Sequence, residues 1–425
     1  MMHAYPTDQE TFIRFLLYYA HENFSHVAYY TDNDYTNYPL GGFDHVLALG
    51  NKRDVRFEKN VDWNELECFW QKHNSFTCGY IAYDAYENWY SELVTDKPSI
   101  LPQMPVACWW LPEIVIYFRK DGYSTSADIS FILDGLDTFT TESKTPTISE
   151  QAPHAWINKE QYIQQVHQIQ QWLQRGNIYE LNYCIPFSGK ATIHPVDYYL
   201  KLNELSPMPF SGWIKADDFM IFSASPERFL KQDYSFVISQ PIKGTAKRSS
   251  DSELDEKQKQ CLIDSEKERA ENSMIVDLVR HDLSQIAIDG TVKVKELYGV
   301  YSFPTVHQMI STVAAEIDVT QTSLVDVFEA TFPMGSMTGA PKYNALKYIS
   351  EIEPVKRGAF SGTMGYKLHQ HHFDGNVLIR SLFYDAKNKD YYFEAGSAIT
   401  IYANAEQEYE ECLLKASVIK SMLPS

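Results

Sequence analysis

DYYFEAGSAITIYA, Asp390 to Ala403, is a near-continuous run of aromatic, β-branched and small residues, and Glu406 to Met422 behind it changes to helical spacing. A long strand delivering the chain into a helix reads as sheet covered by helix. The same alternation recurs upstream. FMIFSASP (219–226), SFVISQP (235–241), FSGTMGYKL (360–368) and GNVLIRSLFY (375–384) are strand-like, and helical stretches run from about Asp255 to Leu283 and from about Pro341 to Ile352. A further helix is marked by Asn158 with Gln161 as a capping box, by Tyr162, Ile163, Val166, Ile169, Trp172 and Leu173 on one face, and by Gly176 as its stop. HVAYYTD, YIAYDAY and IVIYFRK add short alternating strands before residue 135. The fold class is α+β, with helices outside a large antiparallel sheet system.

A chain of 425 residues with 44% hydrophobic and 22% charged residues forms a core without staples. Its 8 Trp, 29 Tyr and 23 Phe fit sheet cores better than any one ligand site. The net charge of −19 repels nucleic acid and anionic membranes, so neither is an expected partner, and an anionic substrate needs a cation or a local basic cluster. Met1 to Phe12 has no apolar centre of signal-peptide type, and Val106 to Phe118 is broken by Pro112 and Glu113, short of the ~20 apolar residues of a membrane span. Six scattered cysteines without a Cys-x-x-Cys pair fit reduced thiols in the cytoplasm. The stretch from Asp134 to Ala155, rich in Thr, Ser and Pro, reads as a linker. It divides the chain into a β-rich 1–135, a linker at 136–155 and a second region at 156–425.

Three patterns carry chemistry. Glu268 and Glu271 are three apart on a helix, and Glu408 and Glu411 repeat the spacing on the last one. Glutamates so spaced are ordinarily a solvated face. If the two helices face each other, four carboxylates converge and call for a hard divalent cation such as Mg²⁺. In FPMGSMTGAPKYNAL (332–346), Gly335, Ser336, Thr338 and Gly339 precede Pro341 at a helix start, a turn whose free N–H groups suit a carboxylate or phosphate; the plain alternative is a tight strand-to-helix turn. Lys243 sits in QPIKGTAKR (240–248), where Lys247 and Arg248 are expected to lower its pKa and free an amine for attack.

Taken in order, SASPERFL (223–230), PIKGT (241–245), AENSMIVDLVRHDL (270–283), VHQMISTV (306–313), GSMTGAPK (335–342), RGAFSGTMGY (357–366), LIRS (378–381) and EYEECLLKA (408–416) resemble the chorismate-utilising enzymes, in particular the aminodeoxychorismate synthase component I branch beside anthranilate synthase component I. The resemblance is strong over the C-terminal two-thirds, where 156–425 becomes the chorismate-binding catalytic region. Upstream, GYIAYD (79–84) is similar to a family element. The resemblance implies two large facing antiparallel sheets with helices outside, into which 1–135 is integrated.

It also implies roles. Lys243, in a slot where anthranilate synthases carry alanine, would attack ring carbon 2 as the 4-hydroxyl leaves, and ammonia would then add at carbon 4 and expel the lysine. Glu227 matches the general acid/base. Glu271 and Glu411 match direct Mg²⁺ ligands, and Glu268 and Glu408 match ligands through water. Arg380 matches the arginine on the enolpyruvyl carboxylate. His307, Gly335, Ser336, Thr338, Gly339, Lys342 and Gly396 match other pocket positions, His307 as a hydrogen-bond donor beside the leaving group; alone it would read as a core histidine. Four positions depart from the pattern: Ser397 and Ala398 follow Gly396 where relatives have three glycines, Tyr402 lies near a usual aspartate, and Glu180 stands where many relatives have glutamine. No glutaminase-type Cys with a downstream His-x-Glu is seen, so the resemblance implies a separate glutamine amidotransferase subunit as the ammonia source. Anthranilate synthase, isochorismate synthase and a catalytically silent homologue are the alternatives. Lys243 weighs against the first, Glu180 in the place of a base lysine against the second, and the intact acidic and basic set against the third.

Overall fold

The computed structural model describes residues 2–35, 37–140 and 152–423. Its strands form two large antiparallel sheets, one of twelve strands and one of ten. The twelve-stranded sheet is centred on His26–Thr31, Phe210–Ala216, Phe219–Ser225, Ser381–Asp385, Asp390–Ile399 and Glu180–Lys190, adjacent in that order. The ten-stranded sheet runs from Ile242–Lys247 through Val306–Glu316, Phe236–Gln240, Arg228–Asp233, His372–Asn376 and Thr363–Lys367 to Thr77–Ile81, Ala107–Leu111 and Arg53–Phe57. Strands from before residue 135 and from after 156 share both sheets, so the two parts of the chain make one body. The middle of the expected linker, 141–151, lies outside the described residues; its last two residues, His154–Ala155, pair with Phe187 and Ser188.

Burial follows from side-chain alternation. The facing sides of the two sheets share a core that includes Tyr30, Ile214, Ile221, Phe383 and Tyr392 from one and Cys78, Trp110 and Tyr366 from the other, while Trp109 and Phe373 on the opposite face of the ten-stranded sheet, with Phe229, pack against Trp70 and Phe328. The opposite face of the twelve-stranded sheet buries Val27, Leu47, Trp213, Phe222 and Phe393 under the helices Gln9–Asn23, Lys159–Gln174, Pro195–Leu205 and Ala405–Ser421. The capping box at Asn158 and Gln161 is formed in both directions, at 2.9 and 3.0 Å.

Two expectations change in ways that matter for the site. The helical stretch from about Asp255 to Leu283 is two helices, Ser252–Ile263 and Glu266–Ser284. Asp264 ends the first, and the Ser265 hydroxyl accepts from the Glu268 N–H at 3.3 Å to begin the second. The strand-like run 375–384 is likewise divided. Gly375 and Asn376 end a strand of the ten-stranded sheet, and Ser381 begins one of the twelve-stranded sheet. Arg380 lies at the crossing with φ of 53°.

Candidate active site

The long helix Glu266–Ser284 packs with the ten-stranded sheet and Ala405–Ser421 with the twelve-stranded one, and the four glutamates meet where these two layers adjoin. Lys267 Nζ lies 3.8 Å from Glu271 Oε1 and 3.6 Å from Glu408 Oε1, so one cation bridges the two helices. On the rim, Glu411 is paired with Lys415 at 2.7 Å. Burial and neighbouring carboxylates push Glu271 up to about 7, and burial followed by Glu411 raises Glu408. Glu271 Oε1 is buried and accepts no hydrogen bond from the described residues. Oxygen-only donors, an excess of negative charge and an orphaned buried carboxylate oxygen fit a hard divalent cation.

Lys243 is buried on Ile242–Lys247, and its Nζ donates to Glu180 Oε1 at 2.6 Å. Gly244, with φ of +94°, brings this strand against Glu268, whose Oε2 lies 3.1 Å from the place a Cβ would take. Glu180 is fully buried at the start of its strand, opposite Ala340, and a side chain on Gly339 would collide with its carbonyl oxygen. The glycine of that turn therefore fixes the carboxylate that faces the lysine. The expected lowering of Lys243 by its basic neighbours does not occur. Burial pulls the ammonium down, but Glu180, Glu271 and Glu227 outweigh it and the net direction is up. Arg248 is spent elsewhere, on Asp255 at 2.8 Å.

Glu227 is buried near the lysine, and burial pushes its carboxyl up to about 7 against the pull of the Ser336 hydroxyl and Lys243. Such a carboxyl holds a proton to neutral pH and suits an acid that must donate one. Arg380 donates from Nη1 to the Lys415 carbonyl at 3.0 Å, has no carboxylate partner among the described residues, and is drawn down to about 10 by burial, with Glu411 opposing. A guanidinium so placed has donors to spare for an anion. Gly396 accepts from Lys415 Nζ at 3.0 Å, which joins the long strand to the same cluster.

The remaining expected residues are held otherwise. His307 uses both ring nitrogens, one with Ser302 Oγ at 2.8 Å and one with Asp255 at 3.1 Å, and so ties a strand to the helix Ser252–Ile263. Lys342 donates to Asp282 at 2.7 Å and to the Thr331 carbonyl at 3.0 Å, away from the glutamates. Thr338 turns its hydroxyl onto its own loop, toward the carbonyls of Met334 and Gly335. The turn is not an open cradle: Gly335–Met337 is a single helical turn, Gly339–Ala340 pairs with the Glu180 strand, and the helix begins at Lys342 after Pro341. Gly335 lies against Leu278 of the long helix. Of the departures, Ser397 hydrogen-bonds Tyr162 at 2.9 Å on the outer face, and Tyr402 is 92% exposed.

Lys267, Lys415 and the contact of Glu180 with Lys243 were not anticipated as parts of the site. The first two carried a signal, each lying four residues from a glutamate on its own helix. Elsewhere, ligand atoms of His26, Asp54 and Cys108 lie within 4.8 Å of one another, but burial, Asp54 and other neighbours leave the Cys108 thiol at about 12, and Arg56 and Lys215 crowd the histidine.

Residues 5–421 match the family model described as chorismate binding enzyme. The chain is 38% identical over 267 residues to aminodeoxychorismate synthase component 1 of Escherichia coli, covering 63% of this chain and 58% of that protein. It is 34% identical over 263 residues to anthranilate synthase component 1 of Thermus thermophilus, covering 62% and 56%. The aligned part thus spans somewhat over half the length of these relatives. The crystal structure of anthranilate synthase component I from Streptococcus pneumoniae superposes with a TM-score of 0.75 at 22% identity, covering 88% of this chain and 91% of that one.

Proposed function

The chain belongs to the family of chorismate binding enzymes, and on that premise we propose that it aminates chorismate at ring carbon 4, making 4-amino-4-deoxychorismate for para-aminobenzoate and folate synthesis in the cytoplasm. The observation that carries the reading is the buried Lys243 amine, set between Glu180, Glu227 and the glutamate cluster. A nucleophile at that point divides the displacement into two steps. Lys243 Nζ bonds to carbon 2, the two ring double bonds shift, and the 4-hydroxyl departs as water with the Glu227 proton. Ammonia then adds at carbon 4, the double bonds shift back, and the bond from Nζ to carbon 2 breaks. Glu227, now a carboxylate, takes up the proton from the entering nitrogen.

Glu271 and Glu411 would hold Mg²⁺ directly, and Glu268 and Glu408 through water. The ion would supply positive charge for the ring carboxylate in a protein of net charge −19. Arg380, with donors unpaired, suits the enolpyruvyl carboxylate. The ammonia source in this reading is a separate glutamine amidotransferase subunit, consistent with the words component 1 in the names of the relatives.

The test is to incubate the purified protein with chorismate, Mg²⁺ and ammonium, without glutamine, and to identify the product. Amination at carbon 4 is expected. Amination at carbon 2 with release of pyruvate would make it an anthranilate synthase, and an unaminated hydroxyl isomer an isochorismate synthase.

A further inference from the structure

Glu180 has no part in the reaction as set out above, yet it makes the hydrogen bond found at the proposed nucleophile. Its Oε1 takes the Lys243 ammonium at 2.6 Å, and its Oε2 is buried without a hydrogen-bond partner among the described residues. The backbone beneath it is fixed by pairing with Ala340 and by the close approach of Gly339. The other acids near the lysine have competing duties: Glu227 must keep a proton for the leaving hydroxyl, Glu271 and Glu408 face Lys267, and Glu411 is paired with Lys415.

We infer that Glu180 is the base that frees the Lys243 amine. This rests on Lys243 being the nucleophile. One Nζ proton passes to the Glu180 carboxylate, which turns a buried ion pair into a neutral amine and a neutral acid with no change in total charge. In a site closed to water that exchange is far less unfavourable than losing a proton to solvent from a lone lysine, because no net charge is moved and a poorly solvated ion pair is relieved. Oε2 makes no bond that protonation would break. The freed lone pair forms the bond to carbon 2. When ammonia expels the lysine as a neutral amine, Glu180 returns the proton to Nζ and the pair is restored. The raised pKa of Lys243 describes the resting pair and is the reason a dedicated acceptor is needed.

The readout is the covalent adduct on the peptide containing Lys243, measured by mass after rapid quenching, with chorismate and Mg²⁺ present and ammonia absent. In the wild type the rate of adduct formation should not rise with pH, since the acceptor is internal: it should be level from pH 6 to about 7 and fall above that as Glu227 loses its proton. In Glu180→Gln it should be lower by roughly 10² to 10⁴-fold at pH 7, and its ratio to the wild-type rate should climb about tenfold per pH unit from pH 6 to 9 as solvent takes over. A Glu180→Gln variant with the wild-type rate and profile overturns the inference. So does a wild-type rate that itself climbs tenfold per unit below pH 7, an outcome that needs no variant to fold. A wild type that aminates chorismate but gives no adduct sinks the lysine nucleophile, and Glu180 as its base with it; an adduct that is indifferent to Glu180 sinks only the base.

Discussion

Two buried lysines meet carboxylates at almost the same distance, Lys243 with Glu180 at 2.6 Å and Lys342 with Asp282 at 2.7 Å, yet they sit in different electrostatic settings. Lys342 has a second acceptor in the Thr331 carbonyl, and through Asp282 it fastens the helix Lys342–Ile352 to Glu266–Ser284. Among the described residues Lys243 has Glu180 alone as a hydrogen-bond acceptor, one oxygen of that acid is orphaned, and further acids lie around it. Pair geometry therefore does not separate a fastening from the proposed nucleophile; the saturation of the surrounding donors and acceptors does.

The comparison breaks most visibly at Lys243. Lys243→Ala should abolish the adduct and reduce amination at carbon 4 by at least on the order of 10³-fold, with part of the remaining addition moving to carbon 2; unchanged rate and regiochemistry would refute the role. Glu227→Gln should lower turnover by roughly 10² to 10⁴-fold. In the wild type the step that needs the protonated acid should fade as pH rises through about 7, because Glu227 is raised and loses its proton there. A pH–rate profile whose alkaline limb is unaltered by Glu227→Gln would assign that limb to another group. Lys342→Met should lower stability in a denaturant titration by about 3 to 5 kcal/mol, since it leaves Asp282 buried and unpaired; an unchanged midpoint would mean the pair is no fastening. The smallest effect is expected from Glu271→Gln in metal-free buffer. Melting should be unchanged or raised by ~1 kcal/mol, because one of several mutually repelling carboxylates is neutralised, while Mg²⁺-dependent turnover is greatly weakened. Wild-type turnover at ordinary Mg²⁺ would remove Glu271 from the ion.

The difference between the lysines also marks how far the sequence could be read. The glutamate pairs were legible because i, i+3 spacing fixes a common face whatever the tertiary fold, and the Asn158 capping box because it is local. The division at Asp264 and Ser265 was hidden under continuous helical composition, although an Asp-Ser step is itself a cap signal. The run 375–384 read as one strand because both halves are buried and alternate; nothing local says that the chain changes sheets at Arg380. The destinations of His307 and Lys342 depend on Asp255 and Asp282, acids 52 and 60 residues away, so their saturation could not be read from spacing. Lys243 had the opposite problem. Its sequence neighbours are cations, but its neighbours in space are acids.

Arg380 is a position where main chain and side chain favour different amino acids. With φ at 53°, the backbone would be most readily occupied by glycine or asparagine, whereas the carboxylate-binding role proposed for it asks for a planar, permanently charged fork. Substitutions that relax the turn, such as Arg380→Gly, discard the charge; Arg380→Lys keeps the charge and the strain but loses the fork. The set of residues passing both filters is nearly one member, so a saturation library at this codon should return a far narrower list of survivors than one at Ser381 beside it.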